Sequence, residues 1–356
     1  MDSADRVTVR TIFFLVVLPS SAFAADPVTL SGRAMGTTWS VKFFPPSPTA
    51  PALDPTVVTA RIAATLEHLE SLLSTYRPAS ELSRFNTSTS TEWFPVSTEL
   101  ARVARESRRI SERTAGAFDA TVDPLVRLWG FGPQRRTTTV PTNSEITTAR
   151  ALVGYDRLEV RLSPPALRKS IPHLSSDFSS LAKGFATDAL SELLTSLGAP
   201  DHLAQIGGDL KASGAHLWRA VIEQPVARSA TLRPTPSPFA IARLVSLSRH
   251  ALSTSGDSRN FTTIAGRRYG HIIDPRSGRP ATSALASVSV LHPSSATSSA
   301  LATALFVLGP EDGFALAIRE QLACLFIVRE GPLLTQRTTP EFERLATPPS
   351  SELAPR

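Results

Sequence analysis

Apolar residues in this chain follow two different spacings in an order that never repeats, and this mixture restricts the fold more than any other feature. Period-two alternation marks strands, and a 3.6-residue period marks helices. Trp39, Val41 and Phe43 alternate within 29–44, which predicts a first strand pair. Val58, Ile62, Leu66, Leu69 and Leu73 share one helical face over 56–73. Leu100, Val103, Ser107 and Ile110 do the same over 98–114, with Gly116 as a stop. A third helix is expected over 181–197, ending at Gly198. Short strands are expected over 202–206, 218–223, 241–248 and 285–291. A late helix runs from Thr297 to Leu308 and stops at Gly309-Pro310, and Leu322 to Val328 is a last strand. Residues 45–55 and the Pro/Thr/Arg-rich 133–147 read as loops. Strands at hairpin spacing, separate helices and no internal repeats give the α+β class.

The N-terminus reads as an export signal. Arg6 and Arg10 precede the apolar run Ile12 to Pro19, and Ala22 and Ala24 fit an A-x-A cleavage site after residue 24. The run is shorter than the about 20 apolar residues of a membrane span, and no later stretch is expected to reach that length. Cys324 is the only cysteine, so no lipid-anchor cysteine lies near the cut and no internal disulfide or cysteine-based metal site is available. Residues 25–335 are expected to form one domain. Residues 336–356, rich in Pro, Ser and Glu from Pro340 onward, read as a loose tail.

Thirty-seven Lys and Arg against thirty-one Asp and Glu leave a formal charge of +6. The basic residues are scattered and the few aromatics are not interleaved with them, which speaks against a nucleic-acid groove.

Glycines and small polar residues gather at junctions, beside acids, Lys or His. In Asp177-Phe-Ser-Ser180-Leu-Ala-Lys183-Gly184, at a helix start, Asp177 is either a plain cap or part of an anion site. Gly207-Gly208-Asp209 is either a hairpin turn or a close approach to a ligand. Ser253-Thr-Ser255-Gly256-Asp257 and Tyr269-Gly-His271-Ile-Ile273-Asp274-Pro275 follow. His271 is either structural or a proton-transfer group. Ser299 and Thr303 share a helix face within Ser298-Ser299-Ala-Leu-Ala302-Thr303, which alone indicates close helix packing.

The order and wording of these clusters together resemble the ApbE-type FAD:protein FMN transferases. The likeness begins at Met35-Gly36-Thr37 and ends at Gly309. It includes Leu73-Ser-Thr-Tyr76-Arg-Pro-Ala-Ser80 and Gly116-Ala117-Phe118-Asp119-Ala-Thr121. The resemblance implies a single two-lobed domain related to the T-fold, with β-sheets flanked by helices. It implies cleavage of FAD at its pyrophosphate, transfer of FMN through a phosphoester to a threonine of a flavin-accepting redox protein, and release of AMP, assisted by Mg2+. Carried over by motif, Met35, Tyr76, Ala117, Phe118, Asp119, Asp177, Lys183 and Ile273 line the FAD site. His271 matches the histidine that helps the acceptor hydroxyl attack. Ser180, Ala302 and Thr303 match positions around the metal. Ser299 stands where the family's motif carries a metal-binding aspartate. A weakly active or non-catalytic FAD binder therefore remains an alternative. With the export signal and no anchor cysteine, the expected location is the soluble periplasm.

Overall fold

Val28–Ala34 (β1) and Thr37–Phe43 (β2) form the expected first hairpin, with Ala34 opposite Thr37. Six further strands extend it into one sheet: His202–Ile206 (β3), Asp209–Ser213 (β4), Ala251–Gly256 (β5), Leu285–His292 (β6), Ala323–Glu330 (β7) and Leu333–Thr338 (β8). Every neighbouring pair is antiparallel, and strand order in the sheet equals chain order. The computed structural model describes residues 26–44, 53–132, 139–225, 240–257 and 260–346. The export signal lies outside the described residues.

The two faces of the sheet are both covered, and β7 shows how alternation divides them. Ala323, Leu325 and Ile327 join a core with Trp218, Val245 and Phe342. Cys324, Phe326 and Val328 join a larger core with Leu301, Leu305 and Phe306. Successive strand side chains point to opposite faces, so one strand serves both cores. The first core is closed by the hairpin Trp218–Glu223 with Ile241–Leu247.

Helices Pro55–Leu73 (α1), Glu81–Thr87 (α2), Thr98–Arg113 (α3), Asp123–Leu128 (α4), Asn143–Arg150 (α5) and Ser179–Ser196 (α6) lie between β2 and β3. Ser295–Arg319 (α7) connects β6 to β7. The five aliphatic positions expected on α1 are the five it buries, each contributing about 1.5–3 kcal/mol on removal from water. Asp54 caps α1, accepting from the Thr56 N–H at 2.8 Å, and Pro55 opens its first turn.

Four expectations change. Residues 143–150, which overlap the end of the expected 133–147 loop, form α5. Its signal was a capping box: Thr142 Oγ1 accepts from Glu145 N while the Glu145 carboxylate accepts from Thr142 N. The short α2 was not anticipated, since seven residues hold barely two helical periods. The chain does not end its ordered part at 335. β8 pairs with β7, and Pro340–Ala346 (α8) follows, with Phe342 fully buried; residues 347–356 lie outside the described residues. Finally, α7 is 25 residues long and by length and composition matches a membrane span. Most of it is buried against the sheet, α3 and α6, and its path breaks at Gly309 (φ 89°, ψ −179°) ahead of Pro310. A core helix covered on several sides is as apolar as a span.

Candidate active site

Each motif cluster sits at the end of an element, and the sheet brings them to one region. α6 begins just after Asp177, whose Oδ1 accepts from the Ser179 N–H at 2.8 Å. The N-cap position itself is Phe178, which has no side-chain cap, so Asp177 holds the first turn from one residue outside it. Lys183 folds back over this first turn and donates from Nζ to the Ser179 carbonyl at 3.0 Å. Its charge acts on Asp177, Asp209 and His271. Gly207 and Gly208 are the turn of the β3–β4 hairpin, as Ile206 pairs with Asp209. The hairpin reading of that glycine pair holds. A Cβ on Gly207 would lie 3.3 Å from Thr37 Oγ1 and 3.7 Å from Lys183 Cδ, so the bare turn lets the Lys183 stem and β2 draw close.

Met35 occupies the β1–β2 turn with Gly36, and both have positive φ (51° and 70°), the backbone of a tight hairpin. A left-handed Met costs about 1–2 kcal/mol. Its N–H donates to the Glu70 carboxylate of α1, which helps hold the turn. Arg77 pairs with the same carboxylate, and beside it Tyr76 stands 66% exposed. Partial burial of the Tyr76 hydroxyl and the nearby Asp177 charge both raise its pKa.

Three residues expected at the FAD site have buried side chains. Ala117 and Phe118 are buried in the large core. Asp119 is buried, and its oxygens are engaged by Thr121 N (2.7 Å), Thr121 Oγ1 (2.7 Å) and Tyr155 N (2.9 Å). Burial raises its pKa against those bonds. These residues shape the loop whose Ala120 carbonyl accepts from Asp177 N at 2.7 Å, and so position the start of α6. Ile273 is likewise packed, with Leu125, Trp129 and Ile146.

His271 lies half-buried. Its backbone N–H donates to the Asn260 carbonyl at 3.2 Å, and its Nδ1 lies 3.0 Å from the same oxygen. A carbonyl only accepts, so Nδ1 carries the proton and Nε2 presents a lone pair. No other described residue bonds Nε2. Burial lowers the His271 pKa, the Asn260 carbonyl opposes this, and the Lys183 charge lowers it further. The imidazole is therefore neutral at neutral pH, as a base must be.

α7 supplies hydroxyls. Thr303 Oγ1 lies 3.0 Å from Ser255 Oγ, and Ser298 Oγ donates to Ser253 Oγ at 2.6 Å. Ser299 is 9% exposed. Ala302 is wholly buried on α7. Ser180 is half-buried on the first turn of α6. The residue that sequence reasoning left unassigned is Asp209: it is buried next to Ser253 in the sheet, and the Ser253 and Ser299 hydroxyls act on its carboxylate. Nothing in spacing could have joined positions 209 and 299. Among the described residues, no three His, Cys, Asp or Glu side chains form a metal-binding group. One carboxylate among hydroxyls remains, a set of hard oxygens that fits a magnesium ion keeping water and substrate phosphate ligands.

The ApbE family's sequence model matches residues 35–326, which holds every cluster just described. The chain belongs to the ApbE family. It is 39% identical over 319 residues to an FAD:protein FMN transferase of Vibrio cholerae, covering 88% of this chain and 91% of that one. It is 35% identical over 332 residues to the protein of that name from Haemophilus influenzae, covering 89% and 91%. The solved flavin transferase ApbE of Vibrio cholerae superposes with a TM-score of 0.80 at 38% identity, covering 90% of this chain and 99% of that one. The apo flavinyl transferase ApbE of Pseudomonas stutzeri gives 0.79 at 37% identity, covering 90% and 96%. The ApbE fold is α+β, as expected from the sequence.

Proposed function

We propose that this protein is an exported FAD:protein FMN transferase. The observation that carries the reading is His271 with its Nε2 lone pair available, in the same charged region as Lys183 and Asp177, within an ApbE chain.

The chemistry is a displacement at phosphorus, in which positioning and charge neutralisation do most of the catalysis. The target threonine hydroxyl of the acceptor protein is a weak nucleophile. His271 Nε2 accepts its proton as the oxygen bonds to the phosphorus of the FMN half. The phosphoanhydride bond breaks and AMP leaves with the bridging oxygen. The Lys183 ammonium, tethered to Ser179, attracts the pyrophosphate charge. Magnesium, when bound, supplies further neutralisation of the phosphate oxygens. Ser299 and Thr303, with Ser180 on α6, are the hydroxyls that would hold it. Phe131, whose ring meets the His271 ring edge-on at 6.4 Å between centroids, limits rotation of the imidazole.

Export explains why the reaction sits in this protein. A carrier translocated unfolded acquires its flavin after crossing, where the residues 1–24 signal would send this chain.

The test mixes the mature chain with FAD, magnesium and an acceptor protein carrying a target threonine. Flavin fluorescence that stays on the acceptor in a denaturing gel supports transfer. FAD binding without transfer at any magnesium concentration overturns it and favours the non-catalytic binder.

A further inference from the structure

α7 lacks an acid along 292–303, so any carboxylate that serves a metal beside Ser299 must come from another element. The sheet delivers one. β4 and β5 pair with Leu210 opposite Leu252 and Lys211 opposite Ala251. The next position along sets Asp209 beside Ser253. The Ser253 hydroxyl accepts from Ser298 of α7 at 2.6 Å, which leaves its own proton for the Asp209 carboxylate. Ser299 is one residue further on α7, and its hydroxyl acts on the same carboxylate.

The neighbouring acids have other engagements. Asp188 accepts from Ser294 Oγ, Ser295 N and Ala296 N at 2.8–3.0 Å. Asp257 forms an ion pair with Arg329 at 2.8 Å. Asp177 accepts from Ser179 N. Asp209 is 4% exposed. It faces neutral hydroxyls and the partial attraction of Lys183, whose ammonium already donates to Ser179. A buried carboxylate with so little compensation is costly in an ordinary core. Magnesium requires one or two carboxylates with its remaining positions taken by water, hydroxyls and phosphate oxygens. The two needs match.

We propose that Asp209, presented by β4 beside Ser253 and facing the first turns of α7, is the carboxylate ligand of the magnesium ion, supplying from the sheet the charge that residues 292–303 do not carry. This rests on the magnesium-assisted transferase reading above. It implies that the serine at 299 keeps the metal site, with its acid moved from the helix to the strand.

The experiment measures metal binding directly, with Mn2+ titrated into the mature protein and free ion read by electron paramagnetic resonance, with and without FAD. Asp209→Asn keeps the shape and one acceptor oxygen. It should weaken Mn2+ binding at least tenfold while FAD binding, followed by flavin fluorescence, falls less. Asp209→Asn combined with Ser299→Asp should return Mn2+ affinity to within a few-fold of the original. Should Asp209→Asn not fold, Ser299→Asp alone carries the test. Two carboxylates then face one another, so the melting temperature without metal should drop and magnesium should restore it. Undiminished Mn2+ binding in Asp209→Asn, or a Ser299→Asp protein whose melting magnesium does not raise, overturns the proposal. Either result leaves the transferase reading standing if flavin still reaches the acceptor. Loss of that reading shows separately, as wild-type protein that binds Mn2+ and FAD yet transfers nothing.

Discussion

A Cβ placed on Gly184 would lie 2.3 Å from the carbonyl oxygen of Ser295. α6 and α7 touch backbone to backbone there, and the contact sets how far Lys183 on one helix stands from Ser299 on the other. Gly184→Ala should destabilise the protein by about 1–3 kcal/mol, the usual cost of overpacking. Thermal melting measures it. Metal and FAD affinity should fall with it, because the helices must part to admit the methyl group. Unchanged melting and affinity would show that α7 shifts freely.

Asp188 fixes the other coordinate of α7. Its carboxylate engages Ser294 Oγ and the N–H groups of Ser295 and Ala296, the work of a cap supplied from another helix, and Lys211 lies 3.4 Å from it. Asp188→Ala should cost about 1–2 kcal/mol, as the loss of a cap does. Chemical denaturation measures this, and Asp188→Asn should recover part of it.

His271→Ala should reduce flavin transfer about 10²–10⁴-fold, the usual contribution of a positioned base, with FAD affinity nearly intact. The pH profile carries the sign. Burial lowers the His271 pKa, so the base form persists below the usual histidine value of about 6.5. The acid limb of the transfer rate should therefore fall below pH 6.5. An acid limb above that pH would assign the titration to another group.

Burial raises the pKa of Asp209, while Lys183 and the Ser253 and Ser299 hydroxyls pull it down. A raised aspartate contributes its stability below the unfolded value of about 3.9 and loses it as pH rises through the folded value. Without metal, Asp209→Asn should therefore melt above the wild type at pH 7, and the difference should shrink as the pH is lowered. Added magnesium should raise the wild type toward the variant. Melting curves of both proteins across pH, with and without the ion, measure this. A difference that grows toward acid would reverse the assigned shift.

Much of this was legible from local pattern. The α1 face, the first hairpin, the strands at 202–206 and 218–223 and the break at Gly309 follow from periodicity and from glycine and proline, which act within a few residues. The capping box of α5 was equally local and was masked by its Pro/Thr-rich surroundings. The FAD-site assignments of Ala117, Phe118, Asp119 and Ile273 mark a different boundary. The motif places these residues together, and the burial of all four side chains is set by the path of the loop through the fold, which no local pattern fixes.

The sequence by itself determined the element types, the α+β class, the family and the bonding types available at each cluster, because these depend on spacing and residue chemistry along the chain. The tertiary structure alone decided which clusters meet. Asp209 and Ser299 are ninety positions apart, and no local rule links them. The register of β4 against β5 turns Asp209 toward Ser253, and the Ser253–Ser298 hydrogen bond ties that strand position to the first turns of α7. Sheet register and helix packing are settled by the whole core at once, so the charge absent from residues 292–303 becomes visible only where the folded sheet presents it.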